Sequence, residues 1–232
     1  MARPAAVIDW TKTSAEVRIM TAALTLFTRK GFQAVGIRDI AQEAGISTAT
    51  LYHYMRTKED LLRALMSDRL HRITRAAELA IHGVEQPEAQ LVALVRTHVI
   101  SHALYPSHVV DDELRSLGSR SRRAVVALRD RYENIWREIL ERGNHTGGPF
   151  EIADTRFARL ALMGMCNGVN RWYSANGPAD VETVADGFAE LALAMVHASA
   201  DGRPLKLRDL GLPPADHYAA IIAEVYAGVV ED

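Results

Sequence analysis

The stretch from Ile37 to Leu62, IRDIAQEAGISTATLYHYMRTKEDLL, limits the possible folds more than any other part of this chain. Ile37, Ile40, Ala41 and Ala44 recur at helical spacing, Gly45 interrupts them, and Ile46 leads to Ser47 and a second short helix. Gly45 suits a position just past a helix, where the backbone turns with positive φ. Ser47 can cap the next helix by accepting from the Ala49 or Thr50 N–H. Thr48, Thr50, Tyr52, His53 and Tyr54 give that second helix hydroxyls, aromatic rings and an imidazole, while Leu51 and Met55 anchor the other face. Small hydroxyls at a helix start, aromatics further on and Lys58 beyond are what a helix needs to lie on a phosphate backbone and a groove floor. A helical hairpin within an ordinary all-α domain satisfies the same pattern.

At 232 residues, 48% hydrophobic and 24% charged, the chain is long enough to bury a core and ordinary enough to be globular. The net charge of −2 argues against a nucleic-acid partner until it is divided along the chain. Residues 1–82 carry 12 Lys and Arg against 8 Asp and Glu, whereas residues 83–232 carry 15 against 21. The basic excess accompanies the helix-turn-helix, where phosphate neutralisation is needed. Cys166, the single cysteine, excludes an intramolecular disulfide framework and fits a reducing compartment; its apolar run LALMGMCNG points to buried packing. With no signal peptide and no apolar run of membrane-spanning length, the expectation is a cytoplasmic protein with no membrane partner.

Helical punctuation continues along the chain. Residues 1–13 show no period and read as an N-terminal arm. A helix from Ser14 presents Val17, Met20, Leu24 and Phe27 as its apolar stripe and stops at Gly31, with Phe32 and Val35 packing beneath the helix-turn-helix. A long helix starts after Thr57 and runs to about Ile81, with Leu61, Leu62, Leu65, Leu70 and Ile73 inward. Further helices follow at about Leu91–Leu104, a short piece from Val109 to Leu117, and Ser121–Glu141, the last with Val125, Leu128, Tyr132, Ile135, Trp136, Ile139 and Leu140 as its stripe. Two more span about 152–174 and 181–200, and after Pro204, Pro213 and Pro214 a terminal amphipathic helix docks either on the same chain or on a partner subunit. No convincing strand alternation is present. The fold class is therefore all-α: a three-helix helix-turn-helix domain at 14–56, a larger helical ligand-binding and dimerisation domain at 57–200, and a C-terminal extension at 201–232.

The run from Thr21 to Leu62 resembles the DNA-binding domain of the TetR family of transcriptional regulators. It shows AAxxLFxxxGF from Ala22, xRDIAxEAG around Arg38, SxxTLYxY from Ser47 and xKExLL around Lys58, in that order. Gly36 departs from the pattern, since the family usually has a Thr or Ser there that caps the second helix and touches a phosphate. The resemblance implies a homodimer on a double-stranded DNA operator, with the last two helices of the regulatory domain forming a four-helix interface. It also implies a small-molecule effector that tilts the long helix. The segment NRWYSANGP at 170–178 is similar to the RWYxPxGP ending found in a subgroup that responds to acyl-CoA thioesters, with Ser174-Ala175-Asn176 replacing the proline-bearing spacer.

The expected DNA-binding residues are Arg38, Ser47, Thr48, Ala49, Thr50, Tyr52, His53 and Lys58: Thr48, Ala49 and Thr50 at base edges, and Ser47, Tyr52, His53 and Lys58 on phosphates. The expected effector-binding residues are His102, Trp136, Met163, Asn167, Arg171 and Trp172, the effector being hydrophobic. Arg171 suits a phosphate or carboxylate and Trp172 an acyl chain or ring, and a plain salt bridge and interface filling suit them equally well. His98 and His102 lie four apart, followed by His108, Asp111, Asp112 and Glu113, a spacing able to hold a metal though more often a polar lining. No metal, cofactor or catalytic residue is expected: the chain has no nucleophile elbow, phosphate-binding glycine loop or recognisable acidic pair. The reading is a ligand-responsive repressor. An activator with the same head and a helical protein-binding adaptor are the alternatives.

Overall fold

The computed structural model describes residues 14–105 and 113–227. The N-terminal arm, His108, Asp111 and Asp112 lie outside them. Among the described residues the fold is all-α but for one two-stranded hairpin, and the chain divides into two units. The first takes Met1–Arg69 and Ser107–Ala127, the second Leu70–Pro106 and Leu128–Asp232.

In the first unit α1 covers Ala15–Lys30, α2 Ile37–Glu43 and α3 Thr48–Tyr54. Ser14 caps α1 by accepting from the Val17 N–H at 3.4 Å, and Gly31 ends it at φ 78° with its N–H on the Phe27 carbonyl. The buried face is Ile19, Ala22, Ala23, Leu26 and Phe27. The sequence stripe through Val17, Met20 and Leu24 is therefore displaced: small Ala22 and Ala23 let neighbouring backbone approach, and the bulkier residues sit half-buried at the border.

Helix α4 covers Lys58–Ile81 and supplies residues to both units. Thr57 and Asp60 bond reciprocally at its start, the carboxylate accepting from the Thr57 N–H at 3.0 Å while Thr57 Oγ1 accepts from the Asp60 N–H at 3.1 Å. Leu61, Leu62, Leu65, Met66 and Ile73 are buried, but Leu70 is only half-buried. A 3₁₀ turn at Glu113–Ser116 and the start of α6 (Ser119–Gly143) complete the first unit. There the Gly118 N–H donates to Glu59 Oε1 at 3.0 Å, Gln33 Nε2 donates to Ser116 Oγ at 3.2 Å, and Leu117 and Val125 are buried.

The second unit is built on α5, Pro87–Leu104, with Pro87 in its first turn. Every residue from Ala89 to His102 is buried, so α5 has no solvent face and the one-sided stripe read from sequence is too narrow. Around it lie the remainder of α6, α7 (Thr155–Asn167), a 3₁₀ turn (Gly168–Arg171) and α8 (Val181–Met195). The last two α-helices are shorter than the sequence period suggests. Capping carboxylates of Asp154 and Asp180 fix their starts, and α7 gives way to the 3₁₀ turn at Gly168.

After α8 comes the hairpin of β1 (Ser199–Ala200) and β2 (Arg203–Pro204), which the sequence reading does not anticipate. Its turn, Asp201-Gly202, has positive φ at both residues, 50° and 73°, the geometry that closes two-residue hairpins. A 3₁₀ turn at Leu207–Asp209 then leads to α9, Ala215–Ala227. Tyr218, Ile222 and Val225 of α9 join the core around α5, so the terminal helix docks on its own chain.

Candidate nucleic-acid interface and effector core

The turn between α2 and α3 is held by backbone bonds. Gly45 stands at φ 65°, the Ala44 N–H reaches the Ile40 carbonyl at 2.9 Å, and the Ile46 N–H reaches the Ala41 carbonyl at 3.0 Å. Ser47 Oγ then accepts from the Thr50 N–H at 3.0 Å and lies 2.8 Å from Thr50 Oγ1. The cap thus engages the Thr50 hydroxyl, leaving Thr48 and Ala49 as the freely exposed residues of the first turn. Leu51 is fully buried on the opposite face. Tyr52 and Tyr54 are 54% and 49% exposed, and His53 lies between them on the surface. Aromatic rings held out on a short, rigidly capped helix are costly in water and useful against a partner.

Arg38 is exposed on α2. At Gly36 the backbone N–H donates to Asp39 Oδ2 at 2.8 Å, so the start of α2 is closed from within despite the missing hydroxyl. Lys58 is placed differently from its sequence neighbours. Its ammonium donates to the carbonyls of Phe32 at 2.7 Å and Val35 at 2.8 Å and lies 4.3 Å from the centre of the Phe32 ring. It braces the loop between α1 and α2 against the start of α4.

In the second unit a polar group sits inside the apolar core. His98 and His102 stack with ring centres 4.1 Å apart, and both are buried. Asn167 Oδ1 accepts from His98 Nε2 at 2.8 Å, leaving Nδ1 to accept from the Tyr132 hydroxyl at 2.6 Å. His102 Nδ1 donates to the His98 carbonyl at 3.0 Å. Trp136 is fully buried with its ring edge toward His98 at 5.5 Å, and its indole N–H has no hydrogen-bond partner; the buried Asn170 Oδ1 likewise has none. A buried donor or acceptor left without a partner costs about 1–3 kcal/mol, so each of these atoms is a place where a bound molecule could supply the missing bond. Burial pushes the Cys166 thiol of α7 up to about 12.

The structure thus brings His102, Trp136 and Asn167 together through His98. Met163 is half-buried on α7, its sulfur 3.9 Å from the Arg159 guanidinium, which pairs with Glu133. Arg171 and Trp172 stand on the surface, Trp172 57% exposed with its ring 6.1 Å from Phe188. Tyr132 belongs to the cluster, although the sequence reading places it only in the apolar stripe of its helix and not among the effector-binding residues. Tyr132 lies one helical turn before Trp136, the signal that could have found it. Among the described residues, no group of three or more His, Cys, Asp or Glu side chains gathers as for a metal ion.

An apolar face lies on α7 and α8. Phe157, Leu160, Leu191 and Met195 are exposed there, Phe157 at 70%, beside the outward-facing Ala161 and Gly164. Phe157, Ala158, Ala161, Met195 and His197 line an open groove of about 670 Å³.

Comparison with known proteins agrees with this geometry. Residues 19–65 match the family described as "Bacterial regulatory proteins, tetR family", and residues 84–196 match "Tetracyclin repressor-like, C-terminal domain". The structure of the TetR family transcriptional regulator PfmR from Thermus thermophilus superposes with a TM-score of 0.69 at 34% identity, covering 76% of this chain and 97% of that one. The HTH-type transcriptional repressor KstR2 of Rhodococcus jostii is 29% identical over 191 residues, 78% of this chain and 91% of KstR2. The structure of AibR in complex with isovaleryl coenzyme A and operator DNA shares the fold, with a TM-score of 0.69 at 21% identity over 77% of this chain and 97% of AibR. A helix-turn-helix head followed by a helical effector unit defines a class of DNA-binding regulators of transcription. The chain belongs to the TetR family.

Proposed function

We propose that this protein is a homodimeric repressor that binds a palindromic operator through α3 and leaves it when a hydrophobic acyl thioester enters the second unit. The observation that carries the reading is the capped α3 helix, with Thr48, Ala49, Tyr52 and His53 exposed over a buried Leu51. Arg38, Ser47 and Tyr52 supply phosphate contacts, and Thr48, Ala49 and the Thr50 methyl meet base edges. Lys58 enters as a brace for the loop between α1 and α2.

The dimer rests on α7 and α8. Phe157, Leu160, Leu191 and Met195 are already partly buried, and covering what remains exposed of them on both subunits gains on the order of 7–13 kcal/mol, comparable with an association cost on the order of 4–15 kcal/mol. A two-fold protein then meets a two-fold site. The acyl-thioester class is supported by the isovaleryl coenzyme A bound to AibR and by the resemblance at 170–178. In this chain the acyl portion occupies the core beside His102, Trp136, Met163 and Asn167, and the Trp136 N–H offers a donor to its carbonyl. Arg171 and Trp172, being exposed, suit the polar remainder of the thioester.

The test is selection of duplexes from a random pool, followed by binding titrations at several salt concentrations. A palindromic sequence is expected, with affinity falling steeply as salt rises, and Tyr52→Ala weakening it about tenfold or more while the dimer persists. Enrichment of no sequence, or equal binding by Tyr52→Ala, would remove the reading.

A further inference from the structure

The second unit ends in a segment beyond the matched regulatory domain, which stops at residue 196. Three buried side chains of α9, Tyr218, Ile222 and Val225, cover α5, as a core-closing helix requires. Arg96 of α5 holds the approach to α9, donating to the Pro213 carbonyl at 2.8 Å and pairing with Asp186 at 2.6 Å. The last turn of α9 has contacts of another kind. Arg72 of α4 donates from Nη1 to the Val225 carbonyl at 2.7 Å, a bond from one helix to the backbone of another. The same guanidinium lies 5.6 Å from the centre of the Tyr226 ring. Tyr226 in turn stacks on Tyr105 at 4.0 Å, and its hydroxyl lies 2.9 Å from Ser101 Oγ, both on or just after α5. A guanidinium bound to an α9 carbonyl and a ring held between Arg72 of α4 and Tyr105 after α5 are more than burial of α9 needs.

We propose that α9 is a built-in strap: Arg72 and Tyr226 are positioning residues that clamp α4 to α5 near where α4 passes from the second unit to the first, and so set how far α4 moves when regulation occurs. The inference rests on the reading of the protein as a DNA-binding regulator. It assigns the C-terminal extension a part in that regulation. The clamp bears on α4 three residues beyond the last residue of the first unit, Arg69. Small changes in its strength therefore act on the helix that both units share.

The test uses the full-length protein with three substitutions. Arg72→Met keeps the aliphatic stem of a half-buried side chain and removes the guanidinium. Tyr226→Ala removes the wedge, and Tyr226→Phe keeps the ring. Hydrogen exchange is followed in residues 70–81 and, as an internal control, in residues 128–143. Exchange in 70–81 is expected to quicken about tenfold in Arg72→Met and Tyr226→Ala, with the control unchanged and Tyr226→Phe close to the parent. Affinity for the duplex selected by the parent protein is expected to shift by about threefold or more in the first two variants, with the dimer intact. The strap is overturned if exchange in 70–81 stays within about twofold of the parent in both variants. It is equally overturned if exchange quickens while duplex affinity is unchanged, since α9 then only stabilises. Should the parent select no duplex, the repressor reading fails and the exchange measurement alone decides the strap.

Discussion

Residues that look alike in sequence are put to unlike uses by a few ångströms of placement. Lys58 and Arg38 flank the same helix pair, yet Lys58 is bound to the carbonyls of Phe32 and Val35 while Arg38 stands in solvent. Only the second is free to meet a phosphate without breaking a contact first. Cys166 gives the clearest prediction at this scale. Burial raises its thiol from 9.0 to about 12, so at pH 8 the thiolate is on the order of one part in ten thousand. Native protein is expected to react with a disulfide reagent orders of magnitude more slowly than denatured protein, as absorbance at pH 8 will record. Equal rates would show that the thiol is accessible. Because the folded-state value is the higher one, the associated stability is complete below about pH 9 and is lost as pH climbs toward about 12. Thr48, Ala49 and Tyr52 were legible as exposed because Leu51 marks the buried face. The orphan N–H of Trp136 was not, since an unmet bond depends on every neighbour at once.

Elements were legible where punctuation is local and obscure where packing decides. Gly31, Gly45, Thr57 and Pro87 mark helix ends by backbone chemistry, and the structure ends or begins helices beside each of them. The inward face of α1 is hard to see in the sequence because its large apolar residues stand out, whereas Ala22 and Ala23 are among the buried ones. The hairpin at Ser199–Pro204 is not legible in the sequence although Asp201-Gly202 is a turn signal, because strands of two residues show no alternation. Helix α5 offers periodicity no purchase: a helix buried on all sides has no polar face to set the phase. The exposed face of α7 yields a prediction. Leu160→Asp places a charge where two copies would meet, and light scattering is expected to show monomer at micromolar concentration with the helical content unchanged. DNA affinity should fall with it by about a hundredfold, as expected when two linked sites become one. A variant that remained dimeric would place the interface elsewhere.

For the whole molecule, regulation requires that an effector bind two states unequally. Moving an equilibrium from mostly bound to mostly released takes about 5.5 kcal/mol of differential affinity, which a ligand can supply by burying a chain and answering one orphan donor. A thermal-shift comparison of acyl-CoA thioesters of increasing chain length, the free acids and coenzyme A alone checks this. Thioesters at about a hundred times their Kd are expected to stabilise by about 2.7 kcal/mol, raising Tm by roughly 5–10 °C. Free coenzyme A should do little. Shifts no larger for thioesters than for coenzyme A would exclude the class. The charge division along the sequence serves the same end, a basic head for phosphates and an acidic remainder that discourages wrapping on nucleic acid.

The chain enters its first unit twice, once through Arg69 and again at Ser107–Ala127, where Gly118 bonds Glu59 and Ser116 bonds Gln33. The reading head is consequently not a cassette. Grafted onto a foreign receptor as residues 14–69 alone, it would lose the buried Leu117 and Val125 and the two bonds that tie down Gln33 and Glu59. Engineers seeking a hybrid sensor from this scaffold should splice within the second unit and leave both passages of the first in place.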